Sequence, residues 1–538
     1  MSRLPSHHPI GSARIAYAVA LALGVAMAWW VFPADILFPG TGASWRPLGD
    51  AAQHMIAQRY LIADVWRWPP TFAANLDTQE GGINTAFADS IPALVLLLKA
   101  MRGLLPEGFH GVGLFYGLAW VLQPVAAVWA LRGAGETRLL PAIGVALAAL
   151  SMPAWIGRFG HAALCGHVLL LAGLGFYLRL LRAPTPGLWL AAGGLQVLAL
   201  LVHPYLAVMT LALLGAVPAT RLLRGERFLG AGLAVGAAAG AVLLVMAGFG
   251  YLGAGGGRGY GMFAMNLLSP VWPAGSGLLG IPWSPQLDAT GHGGWEGYNW
   301  LGAGLLLGLG VGIALQPVAA ARLLRRHAGL VLVLLALTAL AVTHEVGFGR
   351  RIVLDLGDAP AALEQFRASG RFFWPVAYAL LVGAMVLLAR RAPGLCLLAG
   401  LIQFADAAPL RAAIGAWAGE RRPWSVEATA LRAELARAET LTLLPSWPCL
   451  DQQGGGGESY GLLLEVLALA SERAVPASTM YVARHTRPPA CRDAALAAAP
   501  LAPGELRLIL PAAQAALAPL VPDAAARCAP VGTLLACR

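Results

Sequence analysis

The sequence predicts an all-α polytopic membrane core followed by a small soluble α/β domain. Of the 538 residues, 58% are hydrophobic and only 12% are charged, whereas soluble proteins average about 25% charged residues. Apolar runs of membrane-spanning length recur through residues 1–408, which predicts the core. Residues 409–538 instead alternate short strand-like and helix-like segments, which predicts the soluble domain.

Eleven apolar runs are predicted to cross the membrane as helices. Another run, 91–105, is only about 15 residues long and contains Lys99 and Arg102, so we expect an interfacial helix there rather than a span. Pro204 separates two short runs and is expected to form a hinge between them. The predicted spans are approximately 15–32, 112–131, 139–157, 163–181, 187–202, 205–220, 228–250, 300–321, 328–345, 372–389 and 393–408.

The net charge of +10 does not indicate a nucleic-acid-binding protein, because the arginines cluster in short segments between apolar runs. This is the distribution expected of cytoplasmic loops under the positive-inside rule. It predicts a cytoplasmic N-terminus, and it places the long loops 33–110, 251–299 and 346–371 on the outer face together with the C-terminal domain. The clusters are Arg132/Arg138, Arg179/Arg182, Arg221/Arg224/Arg227, Arg322/Arg325/Arg326 and Arg390/Arg391.

Four of the six cysteines follow the last predicted span. An even number of cysteines confined to one soluble segment favours disulfides, and therefore an oxidising compartment. Cys528 and Cys537 flank a predicted hairpin and are expected to pair, which leaves Cys449 to pair with Cys491.

Asp50 is the first candidate for a catalytic group, because it lies in the first long outer loop at the start of a predicted helix, 51–66. With Gln53 three residues later, a simple helix cap within a capping box is the alternative interpretation. His54 shares a helical face with Asp50, and the pair leaves a divalent-metal site open as a further alternative. Asp89 precedes the interfacial helix and is the second candidate acid, with a helix cap as the alternative interpretation. Asp89 or His54 is expected to orient Asp50 or the acceptor.

Several basic residues on the predicted outer face are candidates for binding a phosphate. Arg367 and Arg371 lie four residues apart immediately before a span, where guanidinium groups suit a lipid-linked phosphate or, alternatively, ordinary headgroups. Arg258 lies in a glycine-rich segment that is suited to an anion. Arg158 and His161 lie at the outer end of a span, either as interface anchors or as ligand contacts.

Taken together, these features resemble the GT-C superfamily of membrane glycosyltransferases. The resemblance rests on Gly49-Asp50, on Asp89-Ser90-Ile91-Pro92, on Pro153-Ala154-Trp155 with Arg158 and His161 nearby, and on the many-span core with an outer C-terminal domain. The chain more closely resembles an uncharacterised bacterial membrane-protein family of this architecture. That closer likeness lies in Gly49-Asp50, Gln53-His54, and the runs 265–270, 297–302 and 367–371.

The resemblance implies an inverting transfer of a sugar from a polyprenyl-phosphate donor to a hydroxyl of a glycan, lipid or protein acceptor. It places this reaction at the periplasmic face of a bacterial inner membrane, with Asp50 as general base. Ala51 follows Asp50, so the acidic pair that many GT-C loops carry is absent. The alternatives are a transporter or flippase of lipid-linked intermediates, and a membrane-anchored protein that binds the cell envelope.

Overall fold

The computed structural model describes residues 9–38, 49–256, 259–282, 287–291, 294–452, 457–482, 484–485 and 487–538, and it is mostly helical. The helices up to residue 419 are α1 Pro9–Val31, α2 Ala34–Leu37, α3 Gly49–Ala63, α4 Pro92–Ala100, α5 Val112–Gly133, α6 Leu139–Ala149, α7 Pro153–Ile156, α8 Val168–Arg182, α9 Pro186–Val202, α10 Pro204–Leu223, α11 Leu229–Gly248, α12 Ala303–Leu315, α13 Pro317–Arg326, α14 Ala328–Val342, α15 Trp374–Arg391, α16 Pro393–Asp406 and α17 Ala408–Gly419.

Within the described ranges, six helical segments are long and apolar enough to cross a membrane, and eight are if each of two bent pairs counts as one span. The predicted number of eleven is therefore not confirmed. The helices α6, α9 and α14 are apolar but have only 11, 17 and 15 residues, whereas a span across about 30 Å of hydrocarbon needs about 20. The six segments are Ala13–Val31, Val112–Gly133, Ala162–Arg182, Pro204–Leu223, Leu229–Gly248 and Ser369–Arg391.

Two predicted spans are interrupted by prolines. The run 300–321 divides into α12 and α13, whose axes differ by 104° at Pro317. The run 139–157 divides into α6 and α7, where Met152 before Pro153 has an extended backbone. Proline lacks an N–H donor and keeps the preceding residue out of the helical region, so each run is bent at that point.

The interfacial run 91–105 forms α4 and a short 3-10 helix, Arg102–Leu104. The nine residues of α4 are too few to cross a bilayer. The only lysine of the chain, Lys99, donates a hydrogen bond to the Val65 carbonyl at 3.1 Å, so its charge is held at the loop that follows α3.

The C-terminal segment forms a mixed sheet packed with short helices. Two two-stranded sheets precede this domain in loops between the helices. One pairs β1 Phe72–Ala73 with β2 Ile83–Asn84, and the other pairs β3 Glu345–Phe348 with β4 Arg351–Asp355. The domain contains α18 Ala428–Ala436, β5 Thr440–Leu444, α19 Trp447–Gln452, α20 Glu458–Ser471, α21 Asp493–Ala498, β6 Glu505–Ile509, α22 Pro511–Leu517, α23 Ala524–Arg527, β7 Cys528–Val531 and β8 Leu534–Cys537.

The sheet has the strand order β5-β6-β8-β7, with β5 parallel to β6 and the other pairs antiparallel. Disulfide bonds join Cys449 to Cys491 and Cys528 to Cys537, which are the pairings expected from the sequence. The second bond follows from the register, because Cys528 lies directly opposite Cys537 in the β7–β8 pair. The division of the chain at residues 408 and 409 stays a prediction.

The C-terminal domain is seated on α3. The α20 helix packs against α3, and the fully buried Tyr60 hydroxyl donates to the Val475 carbonyl at 2.6 Å. The Arg59 guanidinium donates to the carbonyls of Gly108 and Ala468. One continuous apolar core runs from α1 through α3 into α20 and β5, so α3 is packed between the membrane helices and the domain.

Candidate functional site

Helix α3 supplies Asp50 and His54 to a cluster of polar side chains, called the pocket below, next to the C-terminal domain. Gly49 has a φ of +56°, a conformation that glycine adopts at little cost, and Asp50 lies in the first turn that follows. The Gln53 side chain donates to the Tyr481 carbonyl at 2.9 Å. The N-cap interpretation of Asp50 is therefore wrong, because Asp50 lies inside the helix; the Gln53 amide nitrogen bonds the C-terminal domain.

Asp89 is held between two histidines. It follows the 3-10 turn Thr85–Ala88 with a φ of +50°. Its Oδ2 lies 3.2 Å from His161 Nε2, and its Oδ1 lies 3.5 Å from His203 Nε2. His203 Nδ1 accepts a hydrogen bond from the Tyr205 amide at 3.1 Å, which leaves Nε2 as the protonated nitrogen that faces Asp89.

His54 lies next to Asp89 and His161 and is fully buried. Neither of its ring nitrogens has a hydrogen-bond partner within the described part of the chain. Its ring centroid is 4.7 Å from that of His161 in an edge-on arrangement. Ligand atoms of His54, Asp89 and His161 lie within 4.8 Å of one another, so this group has the donors that a divalent cation uses. The sequence pointed instead to Asp50 with His54.

Glu296 joins two of the predicted arginines. Arg371 donates to it twice, from Nε to Oε2 at 3.0 Å and from Nη2 to Oε1 at 3.0 Å. Arg158 donates to the same Oε2 from Nη1, and to the Trp295 carbonyl from Nη2 at 2.7 Å. Two guanidinium groups around one carboxylate leave a net positive charge, and bidentate geometry holds Arg371 in place.

The other two predicted arginines have different surroundings. The Arg367 guanidinium carbon lies 5.7 Å from the centroid of the Phe263 ring, and that of Arg371 lies 5.1 Å from the centroid of Tyr205. Arg371 lies within the 3-10 turn Ser369–Phe373, whereas Arg367 precedes this turn, so the two arginines do not share a helical face. Arg258 lies outside the described residues.

The charges of this pocket act on one another. Burial raises the pKa of Asp50. The charges of His161 and Arg371 lower this pKa, whereas those of Asp89 and Glu296 raise it further. Within the described residues, no donor is hydrogen-bonded to the Asp50 carboxylate. Asp50 is therefore a half-buried acid in electrostatic contact with two acids and two bases.

The groups around Asp50 have fixed charges near neutral pH. Although burial raises the pKa of Asp89, His161 and His203 hold it below the usual range. Arg158 and Arg371 do the same for the pKa of Glu296. Burial lowers the pKa of His54 well below its ordinary value, and His161 adds to this, so His54 is neutral, the form that binds a metal.

The C-terminal domain contributes aromatic side chains near Asp50. The rings of Tyr460 and Tyr481 are 5.1 Å apart, and Trp447 lies 4.5 Å from Tyr481. Burial raises the pKa of Tyr481 to about 12, and the charge of Asp50 adds to the shift. The same charge acts on Tyr460, so both phenols of the domain lie near Asp50.

The structure thus brings Asp50, His54, Asp89, His161, Arg158 and Arg371 together. Sequence reasoning missed Glu296 and did not include His203 among the candidate site residues. Glu296 directly precedes the run 297–302 that carried the family resemblance, and an acid among glycines and aromatics in an outer loop was the available signal. Tyr205 and Tyr481 had no such signal, because their contribution depends on tertiary packing.

Two family models match the chain. One, described as a domain of unknown function (DUF6311), matches residues 21–408 and thus more than half of the chain. The other, described as the DUF6311 C-terminal domain, matches residues 430–538. No curated protein matches the sequence. Asp50, Asp89 and Glu296 lie in the first matched range, whereas Tyr460 and Tyr481 lie in the second.

Proposed function

The chain belongs to the DUF6311 family, and we propose that it is a membrane glycosyltransferase of GT-C-like architecture. It transfers a sugar from a polyprenyl-phosphate donor to an acceptor hydroxyl, with Asp50 as general base. The observation that carries the proposal is the position of Asp50. This half-buried carboxylate has no hydrogen-bond donor among the described residues and is in electrostatic contact with Arg371, His161, Asp89 and Glu296.

The arginines supply the phosphate-binding part of the proposed site. Arg158 and Arg371 share Glu296 and keep one uncompensated positive charge. Arg371 lies directly before α15, at the end of a membrane helix, where a lipid-linked phosphate would arrive from the bilayer. Arg367, whose charge acts on Tyr481, adds a third guanidinium. Fixed positive groups that face a departing phosphate lower the barrier without a general acid.

Asp50 supplies the base. General bases work best when their pKa lies near the operating pH, and burial raises the pKa of Asp50 in that direction. In the proposed step, the acceptor oxygen forms a bond to the anomeric carbon while its proton passes to Asp50. The bond between that carbon and the phosphate oxygen breaks, and polyprenyl phosphate leaves with the electron pair. Attack from the opposite face inverts the sugar centre.

Asp89 is proposed to position the histidines rather than to take the proton, because His161 and His203 already occupy both of its oxygens. His54, Asp89 and His161 would also hold a divalent cation in the proposed site. Such a cation would supply additional positive charge to the site.

The arrangement of charge also supports a proposed location. Helices α8, α10 and α15 begin near His161, His203 and Arg371, respectively, and end near Arg182, Arg224 and Arg390. Under the positive-inside rule, this arrangement supports our proposal that the pocket faces the periplasm from a bacterial inner membrane. Counting α6, α9, α14 and each bent pair once gives eleven membrane helices, which is the number we propose for the core.

The direct test is transfer by the purified protein with a panel of polyprenyl-phosphate hexoses, measured as release of polyprenyl phosphate. We expect Asp50→Asn to lower kcat by about 10²–10⁴-fold, the usual contribution of a general base. Asp358→Asn changes an exposed acid of the outer loop 346–371 and serves as the matched control. Unchanged transfer by a well-expressed Asp50→Asn variant would remove Asp50 from this role.

The same experiment distinguishes the alternatives. A transporter or flippase moves the lipid-linked sugar between leaflets of a proteoliposome without releasing polyprenyl phosphate. A scaffold does neither, and the fragment 409–538 alone would then reproduce binding to the cell envelope. Wild-type protein that moves or binds these lipids with no turnover of any donor would overturn the enzyme proposal.

A further inference from the structure

A second cavity lies at the opposite ends of the helices that frame the candidate site. It has a volume of about 800 Å³ and lies among α8, α12, α13, α14 and α15. This volume falls within the range of about 300–1,000 Å³ that is typical of small-molecule sites. Most of its lining is leucine, valine, isoleucine and alanine.

The polar part of the lining has one sign of charge. It contains Arg182, Arg224, Arg322, Arg326 and Arg390, and no aspartate or glutamate among the described residues that line it. Arg182 donates to the Gly133 carbonyl at 3.1 Å, and Arg224 donates from Nε to the Arg326 carbonyl at 2.9 Å. These bonds fix two guanidinium groups at the rim and leave N–H donors for a ligand, since each guanidinium carries five. Arg224 also lies 3.6 Å from the Glu226 carboxylate, which offsets part of its charge.

The cavity reaches the lipid-facing surface of the bundle. Ile313 of α12 and Leu324 of α13 line it and are also 44% and 60% exposed. Because α13 bends by 104° away from α12 and carries Arg322 and Arg326, it lies across the end of the bundle at the height of the arginines. Apolar walls therefore continue into the bilayer below a positively charged rim.

We propose that this cavity binds an anionic phospholipid, with the phosphate on the arginines and the acyl chains along α12, α14 and α15. Arginine matches the geometry and charge of a phosphate, and basic pockets between membrane helices on the cytoplasmic side bind anionic headgroups. A free phosphate would leave the apolar lining without a function. A zwitterionic lipid would leave the arginine rim uncompensated, since its headgroup carries no net charge.

The lipid site is separate from the Asp50 pocket. Helix α15 begins next to Arg371 and contains Arg390 in its last turn, and it has 18 residues, which corresponds to about 27 Å at 1.5 Å per residue. A phosphate on Arg390 therefore lies on the other side of the hydrocarbon layer from Glu296. The proposal does not depend on the glycosyltransferase assignment.

Binding can be measured on the full-length protein in detergent after delipidation, by thermal shift and native mass spectrometry with phosphatidylglycerol, phosphatidylcholine or inorganic phosphate. We expect phosphatidylglycerol to raise Tm and to remain bound as one copy. The double variant Arg326→Gln with Arg390→Gln should lower its affinity by at least about tenfold. The control is Arg325→Gln with Arg391→Gln, which changes the sequence neighbours that do not line the cavity, and it should bind normally.

Three results would overturn the proposal. An equal shift with phosphatidylcholine indicates an unspecific apolar groove, and a shift with inorganic phosphate alone indicates a site for free anions. Equal loss of lipid in the control variant indicates that net charge, not the cavity, binds the headgroup. If the double variant fails to fold, the single variants Arg326→Gln and Arg390→Gln give the same comparison by the copy number of retained phosphatidylglycerol.

Discussion

The Asp50 carboxylate has its pKa raised by burial, and among its charged neighbours Glu296 adds to the shift while Arg371 opposes it. A general base must be deprotonated, so transfer should fall as the pH drops through this pKa. The acidic limb of a plot of kcat/KM against pH should therefore lie above the ordinary aspartate value of 3.8.

The variant Glu296→Gln tests this coupling. It removes a negative charge that raises the pKa of Asp50 and leaves Arg158 and Arg371 without their common partner. Both changes favour the ionised form of Asp50, so we expect the acidic limb to move to lower pH. Glu345→Gln changes a half-buried glutamate of β3 and should leave the limb in place. A limb that moves upward or stays unchanged in Glu296→Gln would contradict the coupling.

Metal content tests the histidine group. We expect the purified wild-type protein to carry about one equivalent of a divalent metal, because His54, Asp89 and His161 offer three ligand atoms within 4.8 Å of one another. Chelation should lower transfer, and His54→Ala should lose both the metal and the sensitivity to chelator. His485→Ala removes a histidine of the domain and serves as control. Wild-type protein without metal, or unaffected by chelation, would show that Asp50 acts without a cation.

At the scale of elements, the two disulfides differ in the length of chain that they close. Cys449 and Cys491 are 42 residues apart, whereas Cys528 and Cys537 are 9 apart. The entropy removed from the unfolded state grows with loop length, so losing the longer loop should cost roughly 1 kcal/mol more. Thermal unfolding of the two paired Cys→Ser variants of the full-length protein measures this. An equal or larger loss for Cys528→Ser with Cys537→Ser would mean that local packing outweighs the loop term.

Element positions were predictable where the signal is local, and less so where it depends on partners. The apolar runs became helices because apolar composition and length act within each segment. The bends at Pro153 and Pro317 were also encoded locally, but a hydropathy pattern averages over a single proline. The capping interpretation of Asp50 and Gln53 failed because their environment depends on distant partners. The Tyr481 carbonyl, more than 400 residues away in sequence, takes the Gln53 side chain.

The site follows the same rule. Asp50, Asp89, Arg158 and Arg371 could be selected because charged residues next to spans are conspicuous in an apolar sequence. Their mutual contacts could not be predicted, since they come from four separate segments that meet only in the folded chain. Glu296 is the informative omission, because its importance lies in joining Arg158 to Arg371 and not in any local pattern.

At the scale of the whole molecule, the orientation in the membrane can be tested directly. We expect an impermeant maleimide to label Asp358→Cys from the periplasmic side, and Glu226→Cys only after the membrane is opened. Glu226 lies beside Arg224 at the end of α10, on the side of the arginine clusters, and the native free cysteines Cys165 and Cys396 are buried. The reverse labelling pattern would place the Asp50 pocket in the cytoplasm and exclude a periplasmic reaction.

Helix α3 has a consequence for how this protein can change over time. Its residues Asp50 and His54 face the pocket, while Gln53 and Tyr60 bond the C-terminal domain. Each residue added to a helix turns everything beyond it by about 100°. A single insertion between Asp50 and Gln53 would therefore displace the candidate base from His54 and from the residues that bond the C-terminal domain. The spacing within α3 is constrained both by the site residues and by the residues that bond the domain. Variation in length should therefore be tolerated in the loops beside α3 and not within the helix.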